Sequence, residues 1–94
     1  MIWLSDFMME AVAADKTIVA ADGNTYLCKF DREAANFADG APALEDQKIW
    51  QIKKIAKEAS ESNTIYSVLY PENSKLYRFK LSNYSNYEYG YTRK

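Results

Sequence analysis

The 94-residue sequence has no histidine and a single cysteine, Cys28. Without histidine there is no imidazole to act as a general base, to activate a nucleophile or to bind a metal. One cysteine excludes an internal disulfide and a zinc site made of thiolates. We therefore expect no catalytic, metal-binding or cofactor-binding residues, and a protein that is not an enzyme.

Three short patterns contain residue types that could react or bind a metal ion, and each has a simpler structural interpretation. Cys28 is next to Lys29 but has no orienting base. The adjacent acids Glu45 and Asp46 lie in a predicted loop, where carboxylates are normally solvated. The segment 22–24, Asp-Gly-Asn, lacks the acidic spacing and the distal glutamate of a calcium loop, so a tight turn explains it better.

Long apolar runs are also missing, since none approaches the roughly 18 residues that span a membrane. The first ten residues are rich in apolar side chains, but Asp6 and Glu10 interrupt them and no basic segment precedes them. We expect one domain over residues 1–94, made in a cytoplasm and without a membrane partner.

Charge is distributed unevenly along the chain, although its sum is only −1. Residues 1–47 contain nine acidic and three basic residues, a net charge of −6, whereas residues 48–94 contain nine basic and four acidic residues, a net charge of +5. The two halves either mix in the fold or form a dipolar surface through which copies associate head to tail.

Residues 1–15 have the pattern of a short amphipathic helical arm, which Ser5 or Asp6 can cap. Apolar residues recur on one face at spacings of four, four and three. They are Trp3, Phe7, Ala11 and Ala14. Because so short a helix is marginal alone in water, it must pack on its own domain or on a neighbouring subunit. On a neighbour, the contacts would be Trp3, Phe7 and Met8.

Residues 16–94 alternate β-prone segments with turns and predict a β domain. Segments 17–21 and 25–30 flank the Asp-Gly-Asn turn and predict a hairpin. Residues 31–47 lack a regular period and predict a long exposed loop. Three later segments predict an antiparallel meander. They are 64–70, 75–81 and 84–92.

The segment 48–59 is ambiguous. As a helix it would place Ile49, Ile52 and Ile55 on one face, and its propensity favours that form. As a strand it would place Trp50 and Ile52 on one face, with a change of phase before Ile55.

The order of several motifs resembles that of a family of small tailed-phage proteins, usually encoded among virion structural genes. The most specific motif is Trp-x-Ile-Lys/Arg-Lys/Arg-Ile, which matches Trp50 to Ile55 throughout. It follows the segment 25–29 and precedes the ending Tyr89-Gly-Tyr-Thr92. The resemblance covers about residues 25–92. The chain departs from the family at 81–84, at its longer loop 31–47 and in its first 15 residues.

The resemblance implies that Lys48–Ile55 is a strand paired with Thr64–Tyr70, that residues 56–63 connect them, and that Tyr66 and Val68 cover Trp50 and Ile52. The expected fold is mainly β, a small antiparallel meander or sandwich of five or six strands with a short N-terminal helix.

The resemblance also implies a non-enzymatic structural protein of the phage virion. It would contact copies of itself and other virion proteins in the head, neck or tail, because tyrosine and tryptophan often anchor interfaces. The candidates on the closing strand are Tyr84, Tyr87, Tyr89 and Tyr91.

The alternative is a small phage-encoded module that binds nucleic acid, a host glycan or a host protein. Tyrosines alternate with basic residues over 75–94, and aromatic rings beside cations can stack on exposed bases or sugars. Nucleic acid is the less favoured partner because the whole chain is slightly acidic.

Overall fold

The computed structural model describes residues 14–59 and 61–92, which form one antiparallel sheet with the strands in sequence order. Two short 3₁₀ turns, Leu44–Asp46 and Leu81–Asn86, accompany the sheet. The strands are β1 (Lys16–Val19), β2 (Thr25–Phe30), β3 (Trp50–Ala59), β4 (Thr64–Pro71) and β5 (Tyr89–Gly90). The mainly β meander is therefore confirmed, as one open sheet in this part of the chain rather than a sandwich. The predicted N-terminal helix lies, except for Ala14 and Asp15, outside the described residues.

The first hairpin and the long loop follow the sequence prediction. β1 pairs with β2 around a turn in which Gly23 adopts a φ of 92° and its N–H donates to the Ala20 carbonyl at 3.1 Å. That positive φ is open to glycine at little cost, which is why the turn forms there. Between β2 and β3 the chain runs as a loop that contains only the first 3₁₀ turn.

β3 settles the ambiguous segment as a strand, but its pairing differs from the prediction. Its first part, Trp50–Ile55, pairs with β2, and its last part, Lys54–Ala59, pairs with β4. The predicted pairing of Lys48–Ile55 with Thr64–Tyr70 is therefore wrong for most of its length, and residues 56–59 belong to the strand. Because the register opposes Val68 to Ile55, β4 lies beyond Trp50 and does not cover it.

The predicted strand 75–81 is wrong, since only Phe79 pairs, in an isolated antiparallel bridge with Trp50. A turn does form at 70–74, where the Asn73 N–H donates to the Tyr70 carbonyl at 3.2 Å. Beyond it the edge of β4 pairs with β5, so the segment 75–81 crosses to the open edge of Trp50 instead. The predicted closing strand 84–92 shrinks to Tyr89–Gly90.

The core lies on one face of the sheet, around Trp50. The Phe30 ring packs against the Trp50 ring at 5.1 Å between centroids, and the indole N–H donates to the Leu44 carbonyl at 2.8 Å. These contacts tie the loop to the sheet. The buried members of this cluster are Tyr26, Cys28, Ile49, Trp50, Ile52, Phe79 and Leu81.

Candidate protein interaction site

A basic pocket of about 340 Å³ opens where the chain crosses from β4 to the edge of β3. Three of its residues are cationic and one is acidic, so its lining carries a net charge of +2. They are Lys48, Glu72, Arg78, Phe79, Lys80, Asn83 and Tyr87. These residues come from three segments of the chain, and the fold alone brings them together.

The bridge between Phe79 and Trp50 positions the cations of the basic pocket. Two backbone hydrogen bonds join these residues, at 3.0 and 3.1 Å, and hold the Phe79 ring at 4% exposure. The Arg78 guanidinium lies 5.2 Å from the centre of that ring, a cation–π contact. The Arg78 side chain therefore packs on the Phe79 ring while remaining accessible to solvent.

The turn after β4 brings the acidic member into the pocket. Glu72 and Asn73 have φ values of 51° and 59°, in the left-handed region that side chains other than asparagine rarely adopt. The Glu72 carboxylate lies 3.9 Å from the Arg78 guanidinium, too far for a hydrogen bond and with both side chains more than half exposed. Such a pair contributes little to stability, so Arg78 remains available to another anion.

Three of the four predicted C-terminal tyrosines are half-buried and make contacts within the chain: Tyr84, Tyr87 and Tyr89. The Tyr87 hydroxyl accepts from the Lys80 N–H at 3.0 Å and donates to the Lys80 carbonyl at 3.1 Å. The Tyr89 hydroxyl donates to the Tyr84 carbonyl at 2.6 Å, and burial raises the Tyr89 pKa. The Tyr84 and Tyr89 rings both pack edge-on against Tyr26.

Tyr91, the fourth predicted tyrosine, is 67% exposed. It follows Gly90, whose missing side chain matters because a Cβ there would collide with the Asn73 amide. The Asn73 amide donates to the Tyr91 carbonyl at 2.7 Å and fixes the backbone at this point. The other predicted contacts, Trp3, Phe7 and Met8, lie outside the described residues.

The loop after β2 presents an acidic surface with an exposed ring. The Asp31 carboxylate accepts from the Glu33 N–H at 3.1 Å, which folds the start of the loop into a turn. Phe37 is 68% exposed and packs edge-on against the Phe30 ring, with 6.4 Å between the centroids. We call residues 31–39 the acidic loop; Glu33 and Asp39 are exposed on it.

An open groove of about 570 Å³ lies beside this loop. On it, the Arg32 guanidinium stacks 4.6 Å from the centre of the Phe30 ring and forms an ion pair with Asp15. Asp15 also accepts a hydrogen bond from the Phe30 N–H at 3.0 Å. The Arg32 charge is thus paired with Asp15, although its side chain is 69% exposed, and the other charged groups of the acidic loop are the carboxylates of Asp31, Glu33 and Asp39.

Three ion pairs of the described residues each join two residues from the same half of the sequence. Lys16 pairs with Glu45 at 2.6 Å, and this hydrogen bond lowers the pKa of the Glu45 carboxyl. Arg32–Asp15 also lies within the acidic half, and Arg78–Glu72 lies within the basic half. These pairs do not neutralise one half with the other.

The buried thiol of Cys28 fits a structural role. Burial raises its pKa to about 12, so the thiol stays protonated and unreactive near neutral pH. Within residues 14–59 and 61–92, no group of three acidic or cysteine side chains is placed to hold a metal ion. The same residues include no helix with the length and apolar character needed to cross a bilayer.

Among the described residues, three of the four most exposed large apolar side chains, Val19, Phe37 and Leu76, were not singled out from the sequence. Phe37 sits in a loop without periodicity, and Leu76 sits in a segment whose alternation suggested a strand face. A phenylalanine between Asn36 and Asp39 in a loop was a usable signal, because loops seldom bury such a ring. Nothing in the local sequence marked Leu76, whose exposure follows from where the chain crosses the sheet.

Comparison with protein-family models, curated proteins and solved structures finds no match to this chain. The similarity to small tailed-phage proteins therefore stays a prediction made from sequence motifs.

Proposed function

We propose that the chain is a non-enzymatic structural protein of a tailed-phage virion that acts through contacts with copies of itself and with head, neck or tail proteins. The observation that supports a contact role is the presence, on one small sheet, of an acidic loop with an exposed apolar ring and of a separate basic pocket. Large apolar side chains exposed to water also offer area that a partner can bury. The most exposed are Val19, Phe37, Leu76 and Tyr91.

The virion context is supported by the motif around Trp50. In this structure the motif builds the centre of the sheet, because Trp50, Ile52 and Ile55 are all buried. Its two lysines have different environments: Lys54 approaches the rings of Tyr26 and Tyr89, whereas burial lowers the pKa of Lys53. The motif is therefore explained by the fold, and it supports a common architecture more directly than a common binding partner.

The nucleic-acid alternative draws less support from the C-terminal tyrosines. A stacking platform needs ring faces open to solvent. Tyr84, Tyr87 and Tyr89 are instead half-buried, and Tyr87 and Tyr89 use their hydroxyls within the chain. These features favour a role in holding the fold together, with Tyr91 as the tyrosine that a partner reaches.

Mass spectrometry on phage particles purified through a density gradient tests the proposal. We expect the chain in fixed proportion to the major capsid and tail proteins, and its copy number would restrict its place in the particle. Abundance in infected-cell lysate together with absence from clean particles would refute the virion role.

A further inference from the structure

We propose that the acidic loop of one copy docks into the basic pocket of the next copy, so that the chain associates head to tail. This inference rests on the proposed function and names the contact that performs it. The surfaces are complementary in charge: Glu33 and Asp39 stand exposed on the loop, and the pocket lining carries a net charge of +2.

The two surfaces are also complementary in their apolar parts. Phe37 projects from the acidic loop with two-thirds of its surface in solvent. The basic pocket offers the half-buried ring of Tyr87, which packs edge-on against the buried Phe79 ring with 5.1 Å between the centroids. A phenylalanine that packs against the exposed part of the Tyr87 ring would make the contact geometry that aromatic side chains favour.

The cations of the pocket are available to the carboxylates of the loop. The Arg78 guanidinium packs on the Phe79 ring, and Lys48 and Lys80 line the same pocket. An arginine held by an aromatic ring loses less freedom when it binds a carboxylate. Removing Phe37 from water would supply the hydrophobic part of the contact, and the charges would set its orientation.

Head-to-tail contacts join two different surfaces of each copy, so association continues until it closes into a ring or extends as a fibre. A variant in which either the acidic loop or the basic pocket is inactivated can bind to one end of such an assembly but cannot extend it. The two variants can therefore be used to test the proposed contact.

The test uses two variants and sedimentation velocity over a range of concentrations. The loop variant carries Glu33→Gln with Phe37→Ser, and the pocket variant carries Arg78→Gln with Lys80→Gln. Wild-type protein should associate with increasing concentration, and high salt should weaken this association. Each variant alone should associate at least tenfold more weakly, whereas a mixture of the two should give a 1:1 complex that does not grow.

The matched control is Lys57→Gln with Glu58→Gln, an exposed pair of opposite charges elsewhere on β3, which should associate like wild type. Far-UV circular dichroism on every variant checks that the sheet is intact. A monomeric wild type, or a loop or pocket variant that associates like wild type, would overturn the inference. Detection of the chain in particles alongside either result would leave the proposed function standing.

A fluorescent single-stranded oligonucleotide provides the competing probe for the basic pocket. We expect no binding that depends on Arg78 and Lys80. Binding by wild type that the pocket variant loses, without a change in self-association, would assign the pocket to nucleic acid and overturn the inference.

Discussion

The two ends of β3 differ in what lies beside them. At Trp50 the strand has a neighbour on each edge, β2 on one side and Phe79 on the other. At 56–59, β4 is its only partner among the residues that the structure describes, because the ladder with β2 ends at Ile55. We call these the inner end and the outer ribbon, the latter being residues 56–59 with 64–67.

Burial follows the same division. Trp50 and Ile52 are fully buried at the inner end, whereas Lys57, Glu58 and Ala59 of the outer ribbon are exposed. A two-stranded ribbon is marginal by itself, so its order depends on the rest of the sheet. The charges of Lys57 and Glu58 also discourage other strands from pairing with this ribbon. One continuous strand thus carries both the core and a solvated extension.

The largest effect is expected from Trp50→Ala. This change removes the centre of the core and the hydrogen bond to the Leu44 carbonyl, so it should cost about 3–5 kcal/mol. This loss is a large share of the roughly 5–15 kcal/mol by which small domains are stable, so the urea midpoint should fall steeply. Urea titration followed by circular dichroism measures the loss. A cost below 1 kcal/mol would contradict the central role of this side chain.

A matched pair of isoleucines tests the comparison directly. Ile52→Ala at the inner end should cost about 2–5 kcal/mol, because the removed atoms leave a cavity. Ile65→Ala on the outer ribbon, where the side chain is 48% exposed, should cost about 0.5 kcal/mol. The same urea titration serves both variants. Equal costs would mean that the outer ribbon shares the stability of the core.

Local sequence predicted the parts of the fold that depend on neighbouring residues. The Asp-Gly-Asn turn, the strand predicted at 64–70 and the long loop predicted at 31–47 all follow from residues within a few positions of one another. Within the predicted strand 75–81, Phe79 and Leu81 are buried but Tyr77 is 44% exposed, so the alternation of this segment did not determine its pairing. The segment 75–81 lies against the edge of Trp50 because β5 already pairs with the end of β4. That pairing joins residues that are far apart in the sequence.

For the candidate site, the sequence likewise predicted charge and composition but not the spatial arrangement of the residues. The uneven charge was visible in the sequence, and so was the abundance of tyrosine. The convergence of Lys48 with Arg78 and Lys80 depends on the bridge between Trp50 and Phe79, which periodicity cannot reveal. Likewise, the alternating tyrosines did not show which hydroxyls would find partners within the chain.

Alkaline pH should weaken the inner end through Cys28. The folded state raises the thiol pKa from 9.0 to about 12, so the contribution to stability is present below pH 9 and is lost as pH rises towards 12. Between pH 8 and pH 10 the loss should be about 1.4 kcal/mol. Cys28→Ala should lack this part of the pH dependence while keeping that of the tyrosines. Identical pH profiles for the two proteins would contradict burial as the cause.

The smallest effects separate the internal tyrosines from the exposed one. Tyr87→Phe removes a hydroxyl that bonds both the N–H and the carbonyl of Lys80, so it should cost about 0.5–1.5 kcal/mol. Tyr91→Phe changes an exposed ring and should leave the free energy of unfolding within about 0.5 kcal/mol of wild type. Urea titration of both variants separates a tyrosine hydroxyl that stabilises the fold from one that is exposed to solvent. A large stability loss at Tyr91 would place it with the core instead.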